Sequence, residues 1–263
     1  MTLTLGNAPF SRSGGEFNFQ LNAPGHILYL EDSPRRVRVA FAGQTIADSI
    51  HCKRLHETGY LPVYYFPEKD IRTDYFEASN HVTHCPFKGQ ATYHSVRVGE
   101  QTAESCVWTY RNPVPEAPAL SGLYAFYFDA MDAWFEEDEQ IFVHPRDPYH
   151  RVDVRNSSRR VRVRVHETLI AETQRPKIVF ETGLPPRYYI PRADIDNATL
   201  VPSAKVTQCP YKGRATYWSV RVGEELVRDV AWSYLEPLPE AAKVAEHICF
   251  PQERVELETH RFC

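Results

Sequence analysis

Several short stretches of the chain alternate apolar and polar residues, the pattern of a β-strand with one buried face. The clearest are RRVRVAF at 35–41 and ATYHSVRVGE at 91–100, which recur as RRVRVRV at 159–165 and ATYWSVRVGE at 215–224. Proline and glycine punctuate the segments between them. This pattern predicts a mainly β protein, with an antiparallel sheet or a small barrel built from many short strands.

One segment departs from simple alternation. GLYAFYFDAMDAWFEEDE at 122–139 has apolar residues at roughly helical spacing and an acidic end. We interpret it as a strand followed by a short helix or turn.

The chain contains the same pattern twice. THCPFKGQATYHSVRVGE at 83–100 and TQCPYKGRATYWSVRVGE at 207–224 lie 124 residues apart, and the match extends outward without a gap. That period is far too long for a solenoid repeat, so it indicates two homologous domains from an internal duplication. We predict an N-terminal arm at 1–24, a first domain at 25–143, a linker at 144–149, a second domain at 150–250 and a C-terminal tail at 251–263. We expect the two domains to pair with each other within the chain about a pseudo-two-fold axis.

The repeated motif T-x-C-P-[FY]-K-G-x-A-T-Y, followed by SVRVGE, resembles the domain-of-unknown-function family numbered 427, in its tandem two-copy form. The resemblance extends over most of residues 25–250. It implies a compact β-rich domain similar to the β-tent architecture, but it implies no reaction. The zinc-binding cysteine pairs of several β-tent proteins are absent from this sequence, so the resemblance does not carry over their metal site.

The composition argues against several classes of function. The 263 residues carry a formal net charge of -4, which does not suggest a nucleic-acid-binding surface. No apolar run is long enough to span a membrane, and the N-terminus does not look like a secretory signal. The six cysteines form no C-x-x-C pair. We therefore expect a cytoplasmic protein with reduced thiols, and we predict no metal, cofactor, nucleic-acid or membrane partner.

The Cys-Pro-aromatic-Lys-Gly bend is the main candidate for chemistry. Pro86 favours an extended Cys85, and Gly89 permits a positive φ or a close backbone approach. Lys88 would then lie near the thiol, where a cation stabilises a thiolate. A buried structural cysteine beside a solvated lysine fits the same pattern. The candidate catalytic residues are Cys85, Lys88, Cys209 and Lys212.

Aromatic residues recur at matching positions in both copies. Tyr and Trp side chains with a few polar groups commonly form small-molecule sites, although they also pack the cores of small β domains. The candidate ligand-binding residues are Tyr64, Tyr65, Phe87, Tyr93, Trp108, Tyr188, Tyr189, Tyr211, Tyr217 and Trp232.

Charged and histidine positions add further hypotheses. Glu57 and Glu181 are candidates for ion pairs with Lys88 or Lys212. The first copy also carries histidines that the second lacks, which allows a metal site as an alternative, although strand geometry opposes it because neighbouring side chains diverge. These histidines are His51, His56, His81, His84 and His94.

These observations favour a soluble protein that binds a small molecule near the bend of each repeat. A cysteine nucleophile assisted by lysine would make it an enzyme. One alternative is a non-catalytic module that binds a peptide or partner protein. A second alternative is a metal-dependent enzyme that uses the histidines of the first repeat.

Overall fold

The computed structural model describes Leu3 and residues 24–260. The chain divides into two compact units, Met1–Asp147 and Pro148–Cys263, which we call the first and the second repeat. Both are mainly β, so the predicted fold class is confirmed. The predicted N-terminal arm lies outside the described residues, except for Leu3 and Pro24.

The first repeat contains eleven strands within its described residues, and all of their pairings are antiparallel. The strands are β1 (Leu28–Asp32), β2 (Val37–Phe41), β3 (Gln44–Ser49), β4 (Lys53–Glu57), β5 (Val63–Pro67), β6 (Phe76–Cys85), β7 (Gly89–Val98), β8 (Gln101–Thr109), β9 (Leu123–Phe126), β10 (Ala133–Glu136) and β11 (Glu139–Ile141).

Two sheets organise these strands. A seven-stranded sheet runs in the order β1-β4-β5-β9-β8-β7-β6, and a four-stranded sheet runs β11-β10-β2-β3. Val37 and Val39 of β2 are fully buried between the sheets, together with Phe66 of β5 and Trp134 of β10. Alternation along β2 leaves Arg38 only partly buried, and its guanidinium pairs with Asp138 at 3.2 Å.

The other face of the seven-stranded sheet carries a second apolar cluster. Tyr65, Tyr93 and Tyr110 belong to it, together with Leu55 and the loop residue Leu120. Because successive strand residues point to opposite faces, Tyr64 faces the core between the sheets while Tyr65 faces this second cluster. The candidate site described below lies on this second face.

The second repeat follows the same plan. Its described strands are β12 (Val152–Asn156), β13 (Arg160–Val165), β14 (Thr168–Thr173), β15 (Lys177–Glu181), β16 (Arg187–Pro191), β17 (Leu200–Cys209), β18 (Gly213–Val222), β19 (Glu225–Pro237), β20 (His247–Cys249) and β21 (Glu256–His260). A seven-stranded sheet runs β12-β15-β16-β20-β19-β18-β17, and a three-stranded sheet runs β14-β13-β21. The strands from β12 to β20 repeat those from β1 to β9 at the 124-residue offset, as the duplication predicts.

Two segments contain strands that the pattern did not predict. The stretch interpreted as a strand followed by a short helix or turn does form β9 and a 3-10 turn at Phe128–Ala130, but it continues into β10 and β11. The segment predicted as a C-terminal tail supplies β21, which pairs with β13 along its length. Residues beyond Phe250 therefore contribute to the sheet of the second repeat.

Candidate functional site

The Cys-Pro-aromatic-Lys-Gly motif forms the turn between β6 and β7. The Lys88 amide donates to the Cys85 carbonyl at 3.3 Å, and Cys85 lies opposite Gly89 in the strand register. Gly89 has φ +98°, and an added Cβ would lie 3.3 Å from both the Asn112 carbonyl oxygen and the Val114 amide nitrogen. The predicted positive φ and the close backbone approach are both present at this glycine.

The lysine of the bend is buried in an ion pair. Lys88 and Glu57 are each 8% exposed, and the Lys88 Nζ donates to the Glu57 Oε2. The other carboxylate oxygen of Glu57 lies 3.0 Å from the His26 Nε2. Phe87 stacks on the His26 ring, with centroids 3.8 Å apart and an interplanar angle of 11°. The result is a linked lysine, carboxylate and imidazole behind the bend.

The second repeat builds the same set. Lys212 Nζ donates to the Glu181 Oε2, and His150 Nε2 lies 3.0 Å from the Glu181 Oε1. Tyr211 stacks on His150 with centroids 4.2 Å apart. Burial would raise the pKa of Glu181, but hydrogen bonds and charge from His150 and Lys212 prevail and lower it. The carboxylate is therefore held in its ionised form.

In the first repeat, a cavity of about 1050 Å³ lies beside this set. Lys88, Glu57 and Cys85 contribute to its wall. The rest of the wall is largely aromatic and includes Tyr65, Tyr93, Trp108, Tyr110 and Tyr127. Such a wall presents apolar ring faces together with a few polar atoms, which is the usual form of a small-molecule pocket.

The aromatic rings are held by contacts with one another and by hydrogen bonds. Trp108 Nε1 donates to the Tyr65 hydroxyl at 3.2 Å, and the Trp108 and Tyr127 rings have centroids 4.7 Å apart. The Tyr93 hydroxyl lies 3.0 Å from the Thr83 hydroxyl. Burial and the adjacent Tyr93 raise the pKa of Tyr127 to about 12, so this phenol stays neutral at physiological pH.

The candidate residues of the first repeat do not all lie in the same environment. Cys85, Lys88, Tyr65, Tyr93 and Trp108 line the cavity together. Tyr64 also borders the cavity, but its hydroxyl donates to Glu136 at 2.7 Å. Phe87 is 43% exposed and packs on His26.

Their second-repeat counterparts are arranged similarly. Trp232 Nε1 donates to the Tyr189 hydroxyl at 3.1 Å, and the Tyr217 hydroxyl lies 3.2 Å from the Thr207 hydroxyl. The Lys205 ammonium lies 4.4 Å from the Tyr217 ring centroid. Cys209 is half-buried against this cluster. Tyr188, like Tyr64, lies instead in the core between the sheets, and its hydroxyl accepts a hydrogen bond from Arg159.

The first-repeat histidines take up separate environments. The His81 and Tyr93 ring centroids are 4.4 Å apart, and the His94 and Phe76 ring centroids are 5.5 Å apart. His56 Nε2 lies 2.9 Å from a Glu31 carboxylate oxygen. Across Leu3 and residues 24–260, no group of three or more His, Cys, Asp or Glu side chains is arranged to hold a metal ion.

Sequence reasoning missed His26 and His150. Both precede the first strand of their repeat and lie outside the motif, whereas the histidine hypothesis rested on residues that differ between the copies. The missed signal was their shared position at the 124-residue offset. A histidine kept in both copies would have been the better candidate for a partner of Glu57 and Glu181.

Two comparisons with known proteins bear on the chain. A family model described as a domain of unknown function (DUF427) matches residues 29–137 and again residues 153–261. A search of curated proteins found no match. Across the part of the chain that the structure describes, no helix is long and apolar enough to cross a membrane.

Proposed function

Because the chain belongs to the DUF427 family, whose description assigns no activity, we propose its function from the site itself: the first repeat binds a small organic molecule in its aromatic cavity. The observation that carries this proposal is the cavity of about 1050 Å³ beside the bend. Its size is close to the upper end of the range, roughly 300–1000 Å³, typical of ligand pockets.

The buried lysine, carboxylate and histidine support the cavity wall. Each charge is compensated by its neighbour, since Lys88 bonds to one oxygen of Glu57 and His26 contacts the other. Compensated charges can remain buried, whereas an unpaired charge would be costly. The same set offers a polar anchor for a ligand that enters the cavity, while the rings of Tyr65, Tyr93 and Trp108 supply stacking surfaces.

A cysteine nucleophile is the second candidate function, favoured by the position of Cys85 on the cavity wall. The pairing of Lys88 with Glu57 weighs against it, because the carboxylate offsets the positive charge that would stabilise a thiolate. Native alkylation by iodoacetamide, followed by peptide mass spectrometry, decides this. A nucleophile reacts faster at Cys85 in the folded protein than in the unfolded chain, and a packed thiol reacts more slowly.

The free cysteine thiols support the proposal that the protein functions in a reducing compartment. Cys52, Cys85, Cys106, Cys209 and Cys249 are all free thiols. Burial raises the pKa of Cys106 to about 11, which keeps that thiol protonated and unreactive. We therefore keep the cytoplasm as the proposed location.

The binding proposal is tested by a fragment screen on the full chain, read by ligand-observed NMR. Tyr127→Ser removes one aromatic wall from the cavity, and because Tyr127 is 44% exposed the change should spare the fold. Trp108→Ala removes a central ring, and Trp232→Ala is its matched control in the second repeat. Fragments should bind the wild type and Trp232→Ala, and binding should fall about tenfold or more in Tyr127→Ser and Trp108→Ala.

Two results would reject the binding proposal. One is a screen without hits, which would favour the alternative of a peptide- or protein-binding module. The other is a set of hits whose affinity is the same in all three variants.

A further inference from the structure

A second cavity, of about 570 Å³, lies in the second repeat and uses none of the residues of the Lys212 bend. Its wall is formed by β15, β16, β19 and β20 and by the segments beside them. Four basic side chains converge on it, namely Arg175, Lys177, Arg192 and His247. We call this cavity the basic cleft.

Two of these cations have no carboxylate partner within ion-pair distance among the described residues. The Arg192 guanidinium lies over the Trp218 ring, 4.5 Å from its centroid. The Lys177 ammonium donates to the neutral Asn156 Oδ1 at 2.6 Å. By contrast, Arg175 is engaged by Asp194, with its Nη2 2.8 Å from Oδ1. Arg192 and Lys177 therefore carry charge that the described residues leave largely uncompensated.

The surroundings of His247 also indicate an excess of positive charge in the basic cleft. Its Nδ1 lies 2.6 Å from the Ala245 carbonyl oxygen, which fixes Nδ1 as the donor and leaves Nε2 as the acceptor of the neutral ring. Burial lowers the pKa of His247, and the charges of Lys177 and Arg175 lower it further, against opposing contributions from the Ala245 carbonyl and Glu246. An anion in the cleft would relieve this repulsion and favour the imidazolium.

The cleft is a feature of the second repeat. At the 124-residue offset, Arg192 corresponds to Glu68 and His247 corresponds to Leu123, so the first repeat lacks two of the four basic groups. Glu246 is the one carboxylate among the described residues that line the cleft. The substitutions between the copies have thus concentrated positive charge at this position.

We propose that the basic cleft binds the phosphate group of a small organic phosphate. Arg192 and Lys177 would contact the phosphate oxygens, since the planar guanidinium suits phosphate geometry and lysine is a common phosphate ligand. The wall also includes Leu235, which is 62% exposed, as well as Ile248 and Pro191. The volume exceeds that of a phosphate ion alone, so these apolar side chains are placed to contact an organic group.

The test is a titration of the full chain with phenyl phosphate and, separately, with inorganic phosphate at constant ionic strength. Binding is measured by calorimetry, and the His247 ring is followed by NMR. Saturable binding of phenyl phosphate should raise the pKa of His247, and phenyl phosphate should bind more tightly than inorganic phosphate.

The decisive variant is Arg192→Glu, which installs the side chain that the first repeat carries at this position. It should weaken phenyl phosphate binding by about tenfold or more, because a charge-assisted contact becomes a repulsion. Arg214→Glu is the matched control, since it makes the same change of charge at an exposed arginine of the same repeat outside the cleft. It should change the affinity by no more than about twofold, because the altered charge is distant from the cleft and screened.

Three outcomes would overturn the proposal. The first is no saturable binding of either probe, and the second is equal weakening by the two arginine variants. The third is an unchanged His247 pKa at saturation. Equal affinities for the two probes would overturn the assignment of the apolar wall to an organic group.

Discussion

The two repeats agree closely behind the bend and differ around it. His26, Glu57 and Lys88 in the first repeat match His150, Glu181 and Lys212 in the second, contact for contact. The surrounding positions have diverged: Tyr127 corresponds to Pro251, and His81 corresponds to Lys205. The buried set is thus a shared support, and what each repeat can bind is decided by the side chains around it.

The largest loss of stability is expected from removing the buried lysine of either repeat. Lys88→Met or Lys212→Met leaves a glutamate buried beside histidine alone, and breaking a buried ion pair in this way costs about 3–5 kcal/mol. Hydrogen exchange read by mass spectrometry should show lost protection in β7 and β8 for Lys88→Met, and in β18 and β19 for Lys212→Met.

A double variant sharpens this comparison. Lys88→Met combined with Glu57→Met removes both charges and should recover much of the lost protection. If the single lysine variants exchange like the wild type, the shared set is not a structural support and the comparison between the repeats fails.

The bend glycines should show the next largest effect. Gly89→Ala and Gly213→Ala place a Cβ at φ +98° and +97°, against backbone atoms 3.2–3.4 Å away. Strain of this kind costs about 1–3 kcal/mol, and the crowding adds to it. Gly99→Ala and Gly223→Ala are the matched controls, because their φ values are also positive but nothing lies within 4 Å of the added Cβ. Urea unfolding should give a lower free energy of unfolding for the bend variants than for these controls. An equal loss of stability in the bend and control variants would contradict the close backbone approach at the bend glycines.

Acid should weaken the second repeat through Glu181. The pKa of this carboxyl is lowered in the folded state from its ordinary value of 4.5, so its stabilisation is present above that value and is lost as pH falls further. The difference in unfolding free energy between the wild type and Glu181→Gln should therefore shrink as the pH drops below about 4.5. A difference that stays constant from pH 7 to pH 3 would refute the pairing with Lys212 and His150.

The smallest loss of stability is expected from removing the buried tyrosine hydroxyls. Tyr65→Phe and Tyr189→Phe each remove the acceptor of a tryptophan N–H, at 3.2 Å in the first repeat and 3.1 Å in the second. Each loss should cost about 1 kcal/mol. Thermal unfolding should show similar shifts for the two variants, since the contact is the same in both repeats. A shift in only one of them would mean that the aromatic clusters are supported differently.

Much of the fold could be predicted from local pattern. Alternation in 91–100 and 215–224 marked two central strands, and the repeated motif marked the duplication and the bend with its positive-φ glycine. The strand β21 was missed because Glu256–His260 is rich in charge and its register depends on pairing with β13. The histidine partners were missed for a similar reason: His26 and Glu57 are 31 positions apart and meet only in the folded sheet.

The most direct measurement of the central claim is ¹⁹F NMR of the full chain labelled with 5-fluorotryptophan. The four tryptophans give separate signals, and Trp108 and Trp232 report the two equivalent positions. Fragments from the screen should shift the Trp108 signal and leave Trp232 unchanged, whereas phenyl phosphate should shift Trp218 beneath Arg192. Fragments that move Trp232 as much as Trp108, or that move neither, would contradict the account of a shared support with a ligand cavity in the first repeat.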